Sequence, residues 1–147
     1  MERQVVALLR GGQFKQILEN YVSEFKSEYG LKRTEIEVLY YLSRNGERNT
    51  AKDITLSLNM NKGHLSQTAE SLCQKGYVSA SKDENDYRIV HYTITKDAAR
   101  VTEEIDAAID RLYNALFAGI SAEDQEALKR IAAQMTYNIR QIMQEKI

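Results

Sequence analysis

The sequence contains no proline, only seven glycines and a single cysteine among its 147 residues. Because proline breaks helix interiors, a chain without it can form long, uninterrupted helices. One cysteine cannot form an internal disulfide, which is typical of proteins from a reducing compartment. No apolar run approaches the ~18 residues needed to span a bilayer, and the N-terminal residues lack the pattern of a signal peptide. These absences predict a soluble, cytoplasmic protein that does not enter a membrane.

The sequence also lacks a strong excess of charge of either sign. The formal net charge is −1, which argues against non-specific binding of polyanions by the whole molecule. Residues 31–96 contain ten Lys and Arg against eight Asp and Glu, whereas residues 97–147 contain six against nine. The middle of the chain is therefore its least acidic part, but this surplus is too small to predict nucleic-acid binding from charge alone.

Apolar residues recur at intervals of three and four along most of the chain, as on one face of a helix. Helices are predicted over residues 4–29, 34–45, 50–58, 62–75, 96–118 and 122–145. Residues that favour helix N-termini precede several of them: Thr34 in a capping box with Glu37, Thr50 with Asp53, Thr95 and Ser121. The glycine pair at residues 11–12 either breaks or bends the first helix.

The pattern changes between residues 77 and 94. Residues 77–81 and 88–94 are rich in β-branched and aromatic side chains, and a polar turn separates them, so they predict a β-hairpin. Two helices with a short polar connection, followed by a hairpin, outline a winged helix-turn-helix. We therefore expect a mainly α fold with a small β-hairpin wing. The predicted single domain, 1–147, has a DNA-binding lobe at 31–96 and a dimerisation lobe at 1–30 and 97–147.

The helix that begins at Lys62 is the candidate recognition helix. Its apolar side carries Leu65 and continues through Ala69 and Leu72. The opposite side is polar, and serine and glutamine on such a face can read base edges in a major groove. The candidate DNA-binding residues of this helix are Lys62, Gly63, His64, Ser66 and Gln67. The alternative is the solvated outer face of an ordinary helix, and the helix-turn-helix followed by a hairpin favours DNA binding over it.

The predicted wing supplies three further candidates, Lys82, Asn85 and Arg88. Its tip is acidic, so we expect Asp86 to pair with Arg88 or a neighbour and to hold the shape of the turn, while Lys82 is placed to reach a phosphate. For each residue of this segment, an ordinary polar turn is as good an interpretation as a DNA contact.

The stretch from Thr34 to Thr95 resembles the multiple-antibiotic-resistance regulator (MarR) family of winged-helix repressors. The resemblance lies in three motifs: Leu65-Ser66-Gln67, Leu72-Cys73-Gln74-Lys75-Gly76-Tyr77-Val78, and Asp86-Tyr87-Arg88 followed by Tyr92-Thr93-Ile94-Thr95. The sequence departs from the family pattern twice, because Gln67 and Asn85 stand where the family usually has arginine. Both departures remove positive charge at positions that touch DNA in the family.

The resemblance implies a repressor that binds double-stranded DNA as a homodimer joined by its first and last helices, with a palindromic operator. It also implies a pocket in which a small lipophilic or phenolic molecule modulates DNA binding. Aromatic residues are the candidates for lining it, although aromatic residues at helical spacing are more often part of the core: Tyr21, Phe25, Tyr29, Tyr40, Tyr41 and Tyr113.

Apolar stripes on the long terminal helices independently favour a dimer, because they exceed what the middle lobe can cover; an intramolecular bundle of these helices is the alternative. We expect no cofactor, metal site or catalytic residues, since the sequence has no phosphate-binding glycine loop, nucleophile elbow or metal-ligand spacing. Cys73 is interpreted as a buried small residue, because a redox sensor needs exposure and a lowered pKa. The alternative function is a winged-helix protein-interaction module with weak or no DNA binding.

Overall fold

The computed structural model describes residues 2–145 and confirms a mainly helical, winged helix-turn-helix fold. Its elements in chain order are α1 (Arg3–Leu9), α2 (Gly12–Tyr29), α3 (Arg33–Arg44), α4 (Ala51–Leu58), α5 (Lys62–Gln74), β1 (Val78–Lys82), β2 (Val90–Ile94), α6 (Ala99–Leu116) and α7 (Ala122–Glu145). The residues up to Leu112 form one compact unit, and those from Tyr113 onward form a second. The proposed lobes at 31–96 and at the two ends of the chain remain a prediction.

The helix boundaries follow local chemistry in most places. Gly11 adopts a left-handed conformation with φ of 72°, which breaks the predicted helix 4–29 into α1 and α2. The Thr50 hydroxyl accepts the backbone N–H of Asp53 at 3.2 Å and begins α4 as predicted. The Ser121 hydroxyl accepts the N–H of Asp124 at 3.1 Å and begins α7 in the same way. These caps satisfy N–H groups that have no partner within the helix.

Two predicted caps are wrong. Helix α3 begins at Arg33, before Thr34, and the Glu35 carboxylate accepts the N–H of Lys32 at 3.0 Å. The Thr95 hydroxyl does not cap α6; it donates to the Gly76 carbonyl at 2.6 Å, and a 3₁₀ turn precedes α6. The Thr95 hydroxyl bonds a carbonyl 19 residues away, so a partner distant in the sequence, rather than the local pattern, determines where this side chain bonds.

Helix α3 lies at the centre of the first unit and packs against α2, α4, α5 and β2. The core is formed by buried aliphatic side chains, among them Ile36, Leu39, Ile54, Leu65, Leu72, Val101 and Ile105. Polar bonds also join α3 to α6, since the Ser43 hydroxyl donates to Asp106 at 2.7 Å and the Arg44 guanidinium bonds both oxygens of Asp110. Within residues 2–145, no helix is both long enough and apolar enough to cross a membrane.

The wing is a two-stranded antiparallel hairpin, with Val78 opposite Ile94 and Lys82 opposite Val90. Its second strand is shorter than the predicted 88–94, because the N–H of Ile89 bonds the Asp86 carbonyl at 3.0 Å and keeps these residues in the turn. The hairpin is joined to the loop before α4, where the N–H of Tyr92 bonds the Asn49 carbonyl at 2.9 Å. This connection places the wing beside the start of α4.

Candidate nucleic-acid interface

Helix α5 has one buried face and one exposed face, as the sequence predicts. Its first turn is capped by the Asn61 side chain, which accepts the N–H of His64 at 2.7 Å. Leu65, Ala69 and Leu72 are buried against the rest of the first unit. The exposed face contains Lys62, Gly63, His64, Ser66, Gln67 and Glu70. All five DNA-binding candidates of this helix are thus accessible to a ligand.

The structure does not require a glycine at position 63. A β-carbon there would meet only the Asn61 side-chain oxygen at 3.6 Å, an ordinary contact, and Gly63 has no positive φ. A glycine that the fold does not require is consistent with close approach of another molecule to the backbone at this point.

A basic groove of about 370 Å³ lies between the start of α4, the start of α5 and strand β2. It is lined by Thr50, Ala51, Lys52, Thr55, Lys62, Arg88, Ile89 and Val90. The groove brings Lys62 and Arg88, both predicted from the sequence, together with Lys52, which the sequence analysis missed. Lys52 lies in the first turn of α4, and no local signal in the sequence marks it as part of the interface.

A smaller polar depression of about 90 Å³ lies between the start of α3 and α5. It is lined by Lys32, Thr34, Glu35, His64, Gln67, Thr68 and Ser71. Lys62 and His64 are two residues apart on α5, so they point in directions that differ by about 200° around the helix axis. Lys62 lines only the basic groove and His64 lines only the polar depression. Gln67 lies between these two side chains around the helix axis.

The wing tip is held by its own acidic side chains. The Arg88 guanidinium donates to both oxygens of Asp86 at 3.0 and 3.1 Å, which confirms the expected pairing and lowers the pKa of Asp86. The Asp83 carboxylate accepts the backbone N–H groups of Asn85 and Asp86 at 3.0 and 3.1 Å. Lys82, Asn85 and Arg88 are exposed, but Arg88 shares its charge with Asp86.

The residues predicted to line a ligand pocket have several different roles. The rings of Phe25 and Tyr29 stack with centroids 6.4 Å apart, and the Tyr29 hydroxyl donates to Glu104 at 2.6 Å. That hydrogen bond is the main cause that raises the pKa of Tyr29 to about 12, and burial adds to it. The Tyr41 hydroxyl instead donates to the Arg48 carbonyl at 2.8 Å.

Of the remaining pocket candidates, Tyr21 and Tyr40 are half-buried in the first unit, and Tyr113 belongs to the second unit. The pocket therefore remains a prediction. Cys73 is only partly buried, and burial followed by the charge of Glu70 raises the pKa of its thiol. A raised pKa is the opposite of what a reactive thiolate needs. Within residues 2–145, His, Cys, Asp and Glu side chains form no cluster of three that could hold a metal ion.

Residues 31–98 match a family model described as a winged helix DNA-binding domain. Together with the exposed face of α5 and the hairpin beside it, this match defines the chain as a winged helix-turn-helix protein. Among curated proteins it is similar to the transcriptional regulator AdcR of Streptococcus pneumoniae, with 29% identity over 86 residues. The aligned segment is 58% of this chain and 58% of that relative's length.

The chain also has the fold of MarR-family regulators over nearly its whole length. It superimposes on MepR of S. aureus in its DNA-binding conformation with a TM-score of 0.81 and 18% identity, covering 92% of this chain and 98% of that one. A MarR-family regulator from Silicibacter pomeroyi gives a TM-score of 0.76 with 18% identity over 91% and 89% of the chains. NadR in complex with 4-hydroxyphenylacetate gives 0.75 with 20% identity over 92% and 94%. The resemblance indicated by the sequence motifs is confirmed at the level of the fold.

Proposed function

We propose that the protein is a sequence-specific, double-stranded DNA-binding transcriptional regulator whose helix α5 enters the major groove. The observation that carries the proposal is the exposed polar face of α5, inside a segment that matches a winged helix DNA-binding domain. A basic groove lies on one side of this face and a polar depression that includes Lys32 and His64 lies on the other. A helix in a major groove has a phosphate backbone on each side, and phosphate contacts position the protein while base contacts specify the sequence. Lys62 on one side of α5 and His64 on the other suit this geometry.

In this arrangement each part of the interface has a defined role. Lys62, Lys52 and Arg88 contact one phosphate backbone from the basic groove, and His64 contacts the other. Ser66 and Gln67 read base edges, since glutamine can form two hydrogen bonds with adenine. The fit of MepR in its DNA-binding conformation supports DNA binding over the alternative of a protein-interaction module.

The regulator acts as a homodimer on a palindromic operator. Helix α7 has no buried residue, and its large apolar side chains are exposed at Leu128, Ile131, Ile139 and Ile142. Helix α1 likewise has no buried residue and exposes Leu8 and Leu9. An exposed apolar stripe of this kind on a helix marks an interaction site, and a second copy of the chain is the partner we assign to it.

The protein acts as a cytoplasmic repressor and not as an enzyme. A small lipophilic or phenolic molecule modulates its DNA binding. NadR, which shares the fold, is known in complex with the phenolic acid 4-hydroxyphenylacetate. Tyr29, which stacks on the buried Phe25, is partly exposed in the first unit and is the aromatic residue that we assign to this molecule. Titrating the purified protein with 4-hydroxyphenylacetate, while monitoring release of bound DNA, tests this part of the proposal separately.

Selection of bound duplexes from a random DNA pool, repeated at two salt concentrations, tests the central proposal. We expect enrichment of a palindromic motif whose half-sites are one helical turn apart, because two α5 helices related by a two-fold axis read equivalent sequences. Absence of any enriched motif at low salt, with the protein folded, would favour the interaction-module alternative.

Gln67→Ala is expected to relax the base preference at one position of each half-site. Loss of a two-pronged contact to a base edge costs about 1–3 kcal/mol. The measurement is a repeat of the duplex selection, followed by titration of the best duplex and its single-base variants. Gln74→Ala is the matched control, because Gln74 is also exposed on α5 but lies at its C-terminal end, away from the N-terminal residues that contact bases. An unchanged motif in the Gln67 variant would show that Gln67 does not read a base.

The salt dependence of DNA binding is expected to show directly whether the basic groove contacts phosphates. Each neutralised phosphate contributes about 0.9 to the slope of log affinity against log salt, so Lys52→Ala and Lys62→Ala should each reduce the slope by about that amount per half-site. Asn85→Arg should tighten binding and steepen the slope, since it adds one cation at each wing tip.

Lys15→Ala, an exposed lysine on α2, serves as the control and should leave the slope unchanged. With arginine absent at positions 67 and 85 and Arg88 paired with Asp86, the slope of the unmodified protein should be shallow for a dimeric repressor. If neither Lys62→Ala nor Asn85→Arg alters affinity or slope, both surfaces lie away from DNA.

A further inference from the structure

A histidine joins the wing turn to the body of the first unit. In strand β2, the His91 ring lies between two side-chain oxygens, with Nδ1 2.7 Å from Asn49 Oδ1 and Nε2 2.8 Å from Asp83 Oδ1. Asn49 belongs to the loop before α4, whereas Asp83 is the first residue of the wing turn. The ring therefore bridges two segments that are far apart in the sequence.

Each end of this bridge is itself anchored. Asp83 uses its other oxygen to accept the N–H groups of Asn85 and Asp86, so it organises the backbone of the turn. At the other end, the Asn49 carbonyl accepts the N–H of Tyr92 at 2.9 Å, and residue 50 forms an isolated β-bridge with residue 91. The hydrogen bonds thus run without a gap from the loop before α4 to the tip of the wing.

The wing needs such a connection because its own strands are short. Each strand has five residues, and the hairpin is the whole sheet. A two-stranded hairpin is marginally stable by itself in water. In β1 only Val78 is buried, and the remaining four residues are exposed, so apolar packing holds little of this strand in place. The side-chain contacts of His91 with Asn49 and Asp83 add a restraint to this packing.

We propose that His91 is a positioning residue for DNA binding, which holds the wing turn against the loop before α4 and so sets where Asn85 and Arg88 meet the DNA. The inference rests on the proposed function. Its geometric consequence lies in the basic groove, because Arg88 belongs to the wing turn, Lys52 lies three residues after Asn49, and the two side chains line the same groove. The spacing of these cations depends on the histidine bridge. The hydrogen bond from His91 is also the largest cause that lowers the pKa of Asp83, as expected for a carboxylate whose charged form is stabilised.

His91→Phe keeps a ring of similar size but removes both hydrogen bonds. We expect affinity for the selected duplex to fall about tenfold, the effect of losing one hydrogen bond to a charged group. Hydrogen exchange of the Asn85 and Asp86 amides should accelerate, because Asp83 is no longer held. His91→Gln, which retains hydrogen-bonding groups, should restore most of the affinity. Thr93→Val, at an exposed position of the same strand, is the matched control and should change neither quantity.

Double variants separate positioning of the wing from a general loss of structure. The effect of His91→Phe should be less than additive with Arg88→Ala, which acts at the wing, and additive with Gln67→Ala, which acts on α5. Asn49→Ala removes the side chain that His91 contacts in the loop before α4 and leaves the residues of the wing unchanged. It should therefore reproduce the loss of DNA affinity even if His91→Phe fails to fold.

The proposal is overturned if amide exchange at the wing turn is unchanged in both His91→Phe and Asn49→Ala. It is also overturned if the loss of affinity is fully additive with Arg88→Ala. The exchange measurement needs no DNA, so it tests the role of His91 even if the unmodified protein selects no duplex. Failure to select a duplex would contradict the proposed function and not the role of His91 in the wing.

Discussion

Replacing Ile139 and Ile142 together by glutamate is expected to convert a species of about 34 kDa, twice the chain mass of 16.9 kDa, into monomer or unfolded chain. Both side chains are 52% exposed in the single chain, and they are three residues apart on one side of α7. A dimer that covers them would have to bury four unpaired carboxylates in the variant. Burial of an unpaired charge costs several kcal/mol at each site, which exceeds what most dimer interfaces can tolerate.

Sedimentation equilibrium at micromolar concentration measures this directly, and circular dichroism distinguishes dissociation from unfolding. Gln141→Glu provides the matched control, because it introduces the same charge on α7 next to Ile142 but points about 130° away from the Ile139–Ile142 side of the helix. The control should remain a dimer. A 16.9 kDa species for the unmodified protein, or an unchanged mass for the double variant, would refute dimerisation through α7.

Lys75→Met is expected to lower the free energy of unfolding by about 3 kcal/mol, the lower end of the range for breaking a buried ion pair. Glu35 is only 1% exposed, and its carboxylate accepts from Lys75 Nζ at 2.7 Å and from the Ser71 hydroxyl at 3.2 Å. Without the lysine, a buried carboxylate loses its counter-charge while remaining out of water. Because the Lys75 side chain is 31% exposed, water can partly replace it, and we therefore expect the lower end of the range.

Urea denaturation of the unmodified protein and the variant gives this difference. Lys129→Met is the control, since it breaks the exposed pair with Glu126 on α7 and should change stability by less than about 1 kcal/mol. A second variant, Glu35→Gln with Lys75→Met, removes the buried charge and should recover part of the loss. Equal effects of Lys75→Met and Lys129→Met would show that the buried pair does not hold α3 against α5.

The same glutamate explains why one cap was predicted wrongly. Locally, Thr34 and Glu37 form the favoured capping box, and nothing in the sequence favours Lys32 with Glu35 over it. In the folded chain, Glu35 is drawn into the core by Lys75, 40 residues away, and its other oxygen then accepts the N–H of Lys32. The start of α3 is therefore decided by a long-range ion pair rather than by local propensity.

The candidate interface also has one part that the sequence predicts and one part that it does not. The exposed face of α5 could be predicted, because Leu65, Ala69 and Leu72 mark the buried side and helical geometry then places Gln67 on the other. Lys52 could not be predicted, since it joins the interface only through the groove between α4, α5 and β2.

For this protein, the sequence by itself determined the order of helices and hairpin, the polar face of α5 and the resemblance to MarR-family regulators. These features depend on neighbours within a few residues, where periodicity and capping chemistry act. Only the tertiary structure decided which distant polar groups come together. Glu35 bonds Lys75, His91 contacts both Asn49 and Asp83, and Lys52 lines the same groove as Arg88. These contacts depend on the three-dimensional approach of side chains 8 to 42 residues apart. The local sequence around a polar residue does not indicate which distant side chain it will bond.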